Sequence, residues 1–278
     1  MRTETFPTAR QLTVSVKLPR GDIEVETADV QETTVTMTAD TDRARRQIEE
    51  TVIRLDDRGD SDELVIDSDP DDFAWGSERR IKVAISFSGR RDKVHVRVVA
   101  PHGTNLTVAT GAADLRANGR FGEVETKTGA GDIAIGEVER DVQIKVASGD
   151  VKIERVGGSL KVQTAAGDLR TGPVGGSAEV KTAAGDVSLA EVGHDVVVTS
   201  ASGDLHVGSV TQGKVALKSV SGDMVVGVKR GSRVWMDVKT VTGNARSDLD
   251  SDVGDDGEGP LVELKATAMS GDIRIVRA

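Results

Sequence analysis

The stretch Gly131-Asp132-Ile133-Ala134-Ile135-Gly136-Glu137-Val138-Glu139-Arg140-Asp141-Val142-Gln143-Ile144-Lys145-Val146-Ala147-Ser148 decides the fold, because it is followed by another Gly-Asp and repeats. Ile133 and Ile135 alternate with other residues, as on a strand with one buried face. Val138 marks a corner, and Val142, Ile144 and Val146 alternate again before the chain turns at Ala147-Ser148-Gly149-Asp150. One repeat of 18 residues thus holds two short strands and two turns. Self-similarity at a fixed short period is the mark of a stacked repeat architecture.

The period extends in both directions. Asp114, Asp132, Asp150, Asp168, Asp186 and Asp204 are evenly spaced, and Asp223, Asn244 and Asp272 continue the row at wider intervals. The Ile133 column reads Leu115, Ile133, Val151, Leu169, Val187, Leu205, Met224. The Val142 column reads Leu106, Val124, Val142, Leu160, Ala178, Val196, Val215, Met236, Leu264, in chain order. A single coil cannot bury such a face, but stacked coils at ~4.8 Å per step bury it on both neighbours. Each fully buried Val or Leu contributes roughly 1.5–3 kcal/mol, enough over many coils to build a core without aromatic rings. The expected fold is an all-β, single-stranded β-solenoid (a β-helix) of 18-residue coils. Right-handed winding follows the general preference of parallel crossovers.

Composition fits this reading and narrows the function. Aromatics are 2%, Tyr and Cys are absent, and net charge is −10. No disulfide framework or thiolate chemistry is available. The negative charge disfavours nucleic acid and anionic lipid as partners. No run of about 18 apolar residues predicts membrane insertion. The N-terminus has no apolar stretch resembling a signal peptide, so a cytoplasmic location is expected.

Residues 1–105 read as a first coil plus an α/β capping insertion, and residues 106–278 as regular coils with a surface loop at 247–260, all in one continuous domain. Gly21-Asp22-Ile23-Glu24-Val25 matches the repeat start, and Val35 and Met37 resemble a second strand. Ala44, Ile48, Val52 and Leu55 share one face of a helix expected at about 41–56, capped by Asp40 or Thr41. Further strands are expected near Glu63–Asp67, Arg80–Phe87 and Lys93–Ala100. At the C-terminal end, either the loop folds over the last coil or two chains meet end to end.

Several constellations bear on chemistry. Carboxylates ~4.8 Å apart repel by ~1 kcal/mol per pair even in water, so the Asp114-to-Asp272 row needs an offset. A channelled cation is one answer. The favoured one is that each Asp accepts backbone N–H groups at a Gly-supplied turn. Asp248, Asp250, Asp252 and Asp255 begin like a calcium loop, but the glycine falls one residue late and the twelfth position is Gly259. The loop therefore reads as an acidic surface segment. His95, His102, His194 and His206 share no motif spacing and read as solvated. Lys127, Lys145, Lys181, Lys218 and Lys239 form an outer row that suits either a polyanion or a solvated face. Trp235 alternates with core positions and faces outward, either under the acidic loop or towards a partner. Phe73 and Trp75 plug the cap or contact a partner. The column Thr110, Thr128, Val146, Thr164, Thr182, Ser200, Ser219, Thr240 is read as a hydroxyl ladder bonded from coil to coil.

The phrases Ser148-Gly149-Asp150-Val151-Lys152-Ile153, Ser202-Gly203-Asp204-Leu205-His206-Val207 and Ser270-Gly271-Asp272-Ile273-Arg274-Ile275 resemble the bacterial "putative adhesin" β-strand-repeat family, a domain of unknown function. So does the lead-in Val96-Arg97-Val98-Val99-Ala100-Pro101 followed by Leu106-Thr107-Val108. The resemblance covers nearly the whole chain. It implies a β-helix-like fold and interaction roles, with related domains in proteins of the cell-envelope stress response and no catalytic residues or cofactors to transfer. The expected function is a non-catalytic interaction or scaffold protein with an unknown protein partner. The alternatives are a calcium- or polyanion-binding surface module and, behind it, a carbohydrate-active β-helix.

Overall fold

The 18-residue period appears in the structure as a ladder of parallel strands in register, with shifts between Ala117 and Arg120 and between Val207 and Val210. The computed structural model describes residues 1–8, 10–57, 61–68, 93–249 and 259–278. The N-terminal part contains β1 (Arg2–Pro7), β2 (Gln11–Ala28), β3 (Glu32–Ala39), α1 (Asp42–Glu50), β4 (Val52–Asp57), β5 (Ser61–Asp67), β6 (Val94–Pro101) and β7 (Asn105–Phe121). The coils that follow each supply two strands: β8 (Val124–Ala130) and β9 (Ile133–Val138), β10 (Val142–Ser148) and β11 (Val151–Val156), β12 (Leu160–Ala166) and β13 (Leu169–Thr171). Then come β14 (Ala178–Lys181) and β15 (Val187–Val192), β16 (Val196–Ser202) and β17 (Leu205–Val210), β18 (Gly213–Ser221) and β19 (Met224–Val228). The chain ends with β20 (Arg233–Thr242) and β21 (Ala245–Ser247), then β22 (Leu261–Ser270) and β23 (Ile273–Arg277).

The columns read from the sequence are the core. Val142 lies opposite Val124 and Leu160, and Ile144 opposite Thr126 and Val162. Val151 lies between Ile133 and Leu169. These side chains are at most 2% exposed. The corner column runs Phe121, Val138, Val156, Val174, Val192, Val210, Val228. Phe121 is fully buried there, so an aromatic ring does enter the core.

Chain order and spatial order part company at both ends. β2 pairs with β5 and β6 on one side and with β7 on the other, so the first coil of the chain is the second coil in space. At the other end, β22 pairs with both β18 and β20, and β23 with both β19 and β21. The last coil of the chain is slotted inside the stack, and β20–β21 is outermost. This corrects the sequential order expected for Asn244 and Asp272. Register is set by matching apolar columns, and those columns match in either order.

Three expectations for the cap are also corrected. Val35 and Met37 do not form the second strand of a coil, because β3 runs antiparallel to β6 and β1. β2 alone supplies both strands of its coil, passing through the Gly21 corner without a break. The helix stops at Glu50 rather than about 56. Thr41 caps its start, accepting from the Ala44 N–H at 3.2 Å, and Thr51 ends it, its hydroxyl donating to the Gln47 carbonyl at 2.7 Å. Val52 and Leu55 lie on β4, antiparallel to β5, where β-branched Val52-Ile53 suits a strand. The expected strand at Arg80–Phe87 lies outside the described residues.

Candidate interaction surface

The row of acids is built as a backbone tie between coils. The Asp132 N–H donates to Asp114 Oδ1 at 3.0 Å, and the same bond recurs from Asp150, Asp168, Asp186, Asp204 and Asp223 to the Asp one coil before. It then passes from Asp272 to Asp223 and from Asn244 to Asp272, each at 2.8 Å, tracing the slotted order of the last coils. A charge-assisted N–H bond at each step offsets the like-charge repulsion. The glycine before each Asp has no room for a side chain: at Gly185, φ is +115° and a Cβ would lie 2.2 Å from the Gly167 carbonyl oxygen. Ala113 occupies this position in β7, where the strand runs straight through the corner.

Most of the hydroxyl column works differently from the expected coil-to-coil ladder, while Thr240 does bond across coils, donating to the Gly271 carbonyl at 3.0 Å. Thr128, Thr164, Thr182, Ser200 and Ser219 each donate to the carbonyl two residues ahead in their own coil, at 2.9–3.1 Å. They brace the lead into the turn. In β7 that turn is straightened, and the Thr110 hydroxyl is buried without a partner.

The lysine row is interleaved with acids. Lys127 meets Glu125 at 2.8 Å, Lys239 meets Asp237 at 3.0 Å, and Glu179 lies between Lys161 at 2.8 Å and Lys181 at 2.7 Å. Hydrogen bonds from these two ammonium groups hold the Glu179 carboxyl well below its usual range, at about 2. Thr267 interrupts the row between Lys218 and Lys239, because β22 sits between their coils. Lys127, Lys181 and Lys239 of the row are thus each paired with an acid.

Two places gather acids. A depression of about 320 Å³ is lined by Thr13, Asn105, Thr107, Glu123, Glu125 and Asp141 among others. Its carboxylates are engaged: Glu123 with Arg140 at 3.4 Å, Glu125 with Lys127, and Asp141 with the Ser159 N–H at 2.7 Å. At the N-terminal start of the Asp row, His95 Nδ1 lies 2.8 Å from Asp22 and its Nε2 3.5 Å from Asp40. Lys93 approaches the other oxygen of Asp22 at 3.6 Å. This cluster is partly exposed, and among the described residues no group of three or more acids, histidines or cysteines is placed to hold a metal ion. Asp248 is bound by Arg274, which donates twice to its Oδ2 at 2.6 and 2.8 Å. Asp250, Asp252, Asp255, Phe73 and Trp75 lie outside the described residues. Trp235 faces outward from β20, opposite Glu263, and is 59% exposed.

One feature escaped the sequence reading. The outward position just before the turn reads, in spatial order, Gly111, Gly129, Ala147, Ala165, Ala183, Ala201, Val220, Met269, Val241. Its side chain is absent, then a methyl, then large and apolar on the last three coils. Val220, Met269 and Val241 are 51%, 59% and 80% exposed. Large apolar side chains aligned on adjacent strands form a contiguous apolar surface of the kind that marks an interaction site, and Trp235 stands apart on the same outermost strand, beyond Asp237 and Lys239. The only signal in the sequence was the size gradient of a column interrupted by the reversed order of Met269 and Val241.

Among the described residues, no helix is long and apolar enough to cross a membrane. The chain resembles solved structures over its whole length at low identity. It is 16% identical to a protein titled "putative adhesin" from Parabacteroides distasonis, covering 100% of this chain and 96% of that one with a TM-score of 0.43. It is 14% identical to a "putative adhesin" from Bacteroides fragilis, covering 99% and 96% with a TM-score of 0.39. It is 11% identical to a "putative lipid binding protein" from Parabacteroides distasonis, covering 100% and 96% with a TM-score of 0.35. None of the curated proteins compared with it matches. The Toastrack DUF4097 family matches residues 9–276, from the first coil to the slotted last strand, and the chain belongs to that family of bacterial β-solenoids.

Proposed function

We propose that the chain is a non-catalytic interaction module whose docking face is the outer corner of the C-terminal coils. The observation that carries this reading is the column that grows from Gly and Ala to Val220, Met269 and Val241 over the last three coils. A coil repeat needs nothing large at that position, since its earlier coils do without it. The repeated geometry of the Gly-Asp corners supplies a regular frame, and the acids of the Asp row are tied to backbone N–H groups. A link to the cell-envelope stress response rests on family resemblance alone and on no residue of the structure.

The test is site-specific photo-crosslinking in the producing bacterium, with the photoreactive residue at Met269 in one variant and at Ala165 in another. Both positions belong to the same column, so the comparison controls for geometry. Discrete protein adducts, identified by mass spectrometry, are expected from Met269 and not from Ala165. Equal labelling from both positions, or none from either, overturns the proposal.

A further inference from the structure

We infer that a second copy of the chain joins the open end of this stack, edge to edge through β20 about a two-fold axis at Val238. The seam lies beside the docking face proposed above, at Val241, and goes beyond that reading. β20 is the outermost strand of its wall, and among the described residues it pairs only with β22. Alternate backbone N–H and C=O groups of β20 therefore point away from the stack, which is a template for another strand.

The side chains on its outer face are self-complementary. Trp235, Asp237, Lys239 and Val241 alternate along the strand and share the outward side. An antiparallel copy centred on Val238 places Trp235 opposite the second copy's Val241, and Asp237 opposite the second copy's Lys239. Each contact occurs twice, as a two-fold interface requires. The apolar row Val220, Met269, Val241 then continues onto the second copy's Trp235, which covers the flank of Val241. On the inner side, Val238 meets its own copy and Met236, which is 41% exposed in the single chain, gains cover. Among the described residues, the free edges at the N-terminal end carry no such pattern. β1 ends in Pro7 and alternates Arg2 and Glu4 with threonines, and β4 carries Arg54, Asp56 and Asp57, all features that blunt an edge.

The test is sedimentation equilibrium on the purified full chain across a concentration series, with Asp237→Lys and Lys239→Asp variants. The wild type is expected to dimerise. In either variant alone, like charges face each other twice across the axis, and the dissociation constant of the dimer is expected to rise tenfold or more. Mixing the two variants puts every lysine opposite an aspartate, so a mixed dimer is expected to recover, as is the dimer of the double variant Asp237→Lys/Lys239→Asp. Thermal melts of the variants report whether each is folded, and recovery on mixing requires that both are. A wild type that stays monomeric at all concentrations, or a dimer indifferent to these charges, overturns the inference. A monomeric wild type that still yields Met269 adducts to a different protein overturns the second copy and leaves the docking face standing.

Discussion

At the N-terminal end, the outermost coil formed by β5 and β6 is flanked by antiparallel strands: β4 beside β5, and β3 then β1 beside β6. At the C-terminal end, the outermost coil is β20 and β21, and among the described residues no strand lies beyond it. The inner faces differ accordingly. Leu64 and Val96 in the outermost N-terminal coil are at most 1% exposed, whereas Met236 is 41% exposed and all of β21 is exposed. Both ends use the same slotting device, with a terminal coil of the chain held between two others. A nearest-neighbour stack gains most of its stability at coils that have two neighbours. Slotting gives the first and last coils of the chain that position; at the C-terminal end it leaves the outermost place to the internal segment β20–β21, whereas at the N-terminal end the terminal strand β1 lies at the edge beside β3. The two ends thus share a way of anchoring the chain and differ in whether the final surface is closed.

The sharpest break between chain order and spatial order is in the last two coils, and truncating side chains there has the largest expected effect. Leu264 lies on the last coil of the chain but is fully buried between Val215 and Met236. Leu264→Ala is expected to cost roughly 3–5 kcal/mol, the range for a buried leucine in a site that cannot collapse. Met236→Ala, in the same column but outermost, is expected to cost less than about 1 kcal/mol. Chemical denaturation of the two variants measures both. Equal costs, or the reverse order, would mean that the coils stack in chain order after all.

Next in size is the contrast between a glycine inside the stack and one at its margin. Gly185→Ala drives a methyl to 2.2 Å from the Gly167 carbonyl oxygen at a φ of +115°. Overpacking and backbone strain together predict a loss of roughly 3 kcal/mol. Gly231, between β19 and β20, has a φ of +85° but nothing within 4 Å of a Cβ. Gly231→Ala retains only the left-handed strain, about 1–2 kcal/mol. Melting both variants separates close approach from conformation, and a Gly185→Ala protein as stable as Gly231→Ala would sink the packing argument.

Much of this was legible in the sequence, because a repeat states each core position many times over. Ile133, Val142 and Ile144 are buried where alternation placed them, and Trp235 is outward where alternation placed it. What failed did so for identifiable reasons. Ala44, Ile48, Val52 and Leu55 keep a helical spacing across a boundary at Thr51, where side-chain bonding to Gln47 ends the helix and a β-branched pair begins a strand. The slotting was hidden because every coil offers the same columns to every other. Its trace was the weak core of the outermost coil, where Ala245 and Ser247 stand opposite Ile273 and Ile275. Asn244 is a second trace, since the last member of the Asp row has no further coil in which an N–H needs a carboxylate. The outward column before the turn was missed because outward residues were read for charge, and Gly, Ala and Val carry none.

The smallest expected effect concerns how dry the stack is in its middle and at its open end. Thr126 stands in an apolar column between Val108 and Ile144, is 1% exposed, and its hydroxyl has no hydrogen-bond partner. Valine has nearly the same shape, and replacing an unsatisfied buried hydroxyl with a methyl removes a desolvation cost of about 1 kcal/mol. Thr126→Val is therefore expected to stabilise the protein by that amount. Val238 occupies the same column in the outermost coil, opposite Ala266, and is only partly buried. There a hydroxyl can reach water, so Val238→Thr is expected to change stability by less than about 0.5 kcal/mol at concentrations where the chain is monomeric. Under conditions that favour the two-fold pairing at Val238, the same substitution places two hydroxyls in the buried seam and its cost should rise. Denaturation midpoints measured at low and high protein concentration distinguish the cases, and a gain in stability from Thr126→Val that is matched by Val238→Thr would show that water reaches both coils alike.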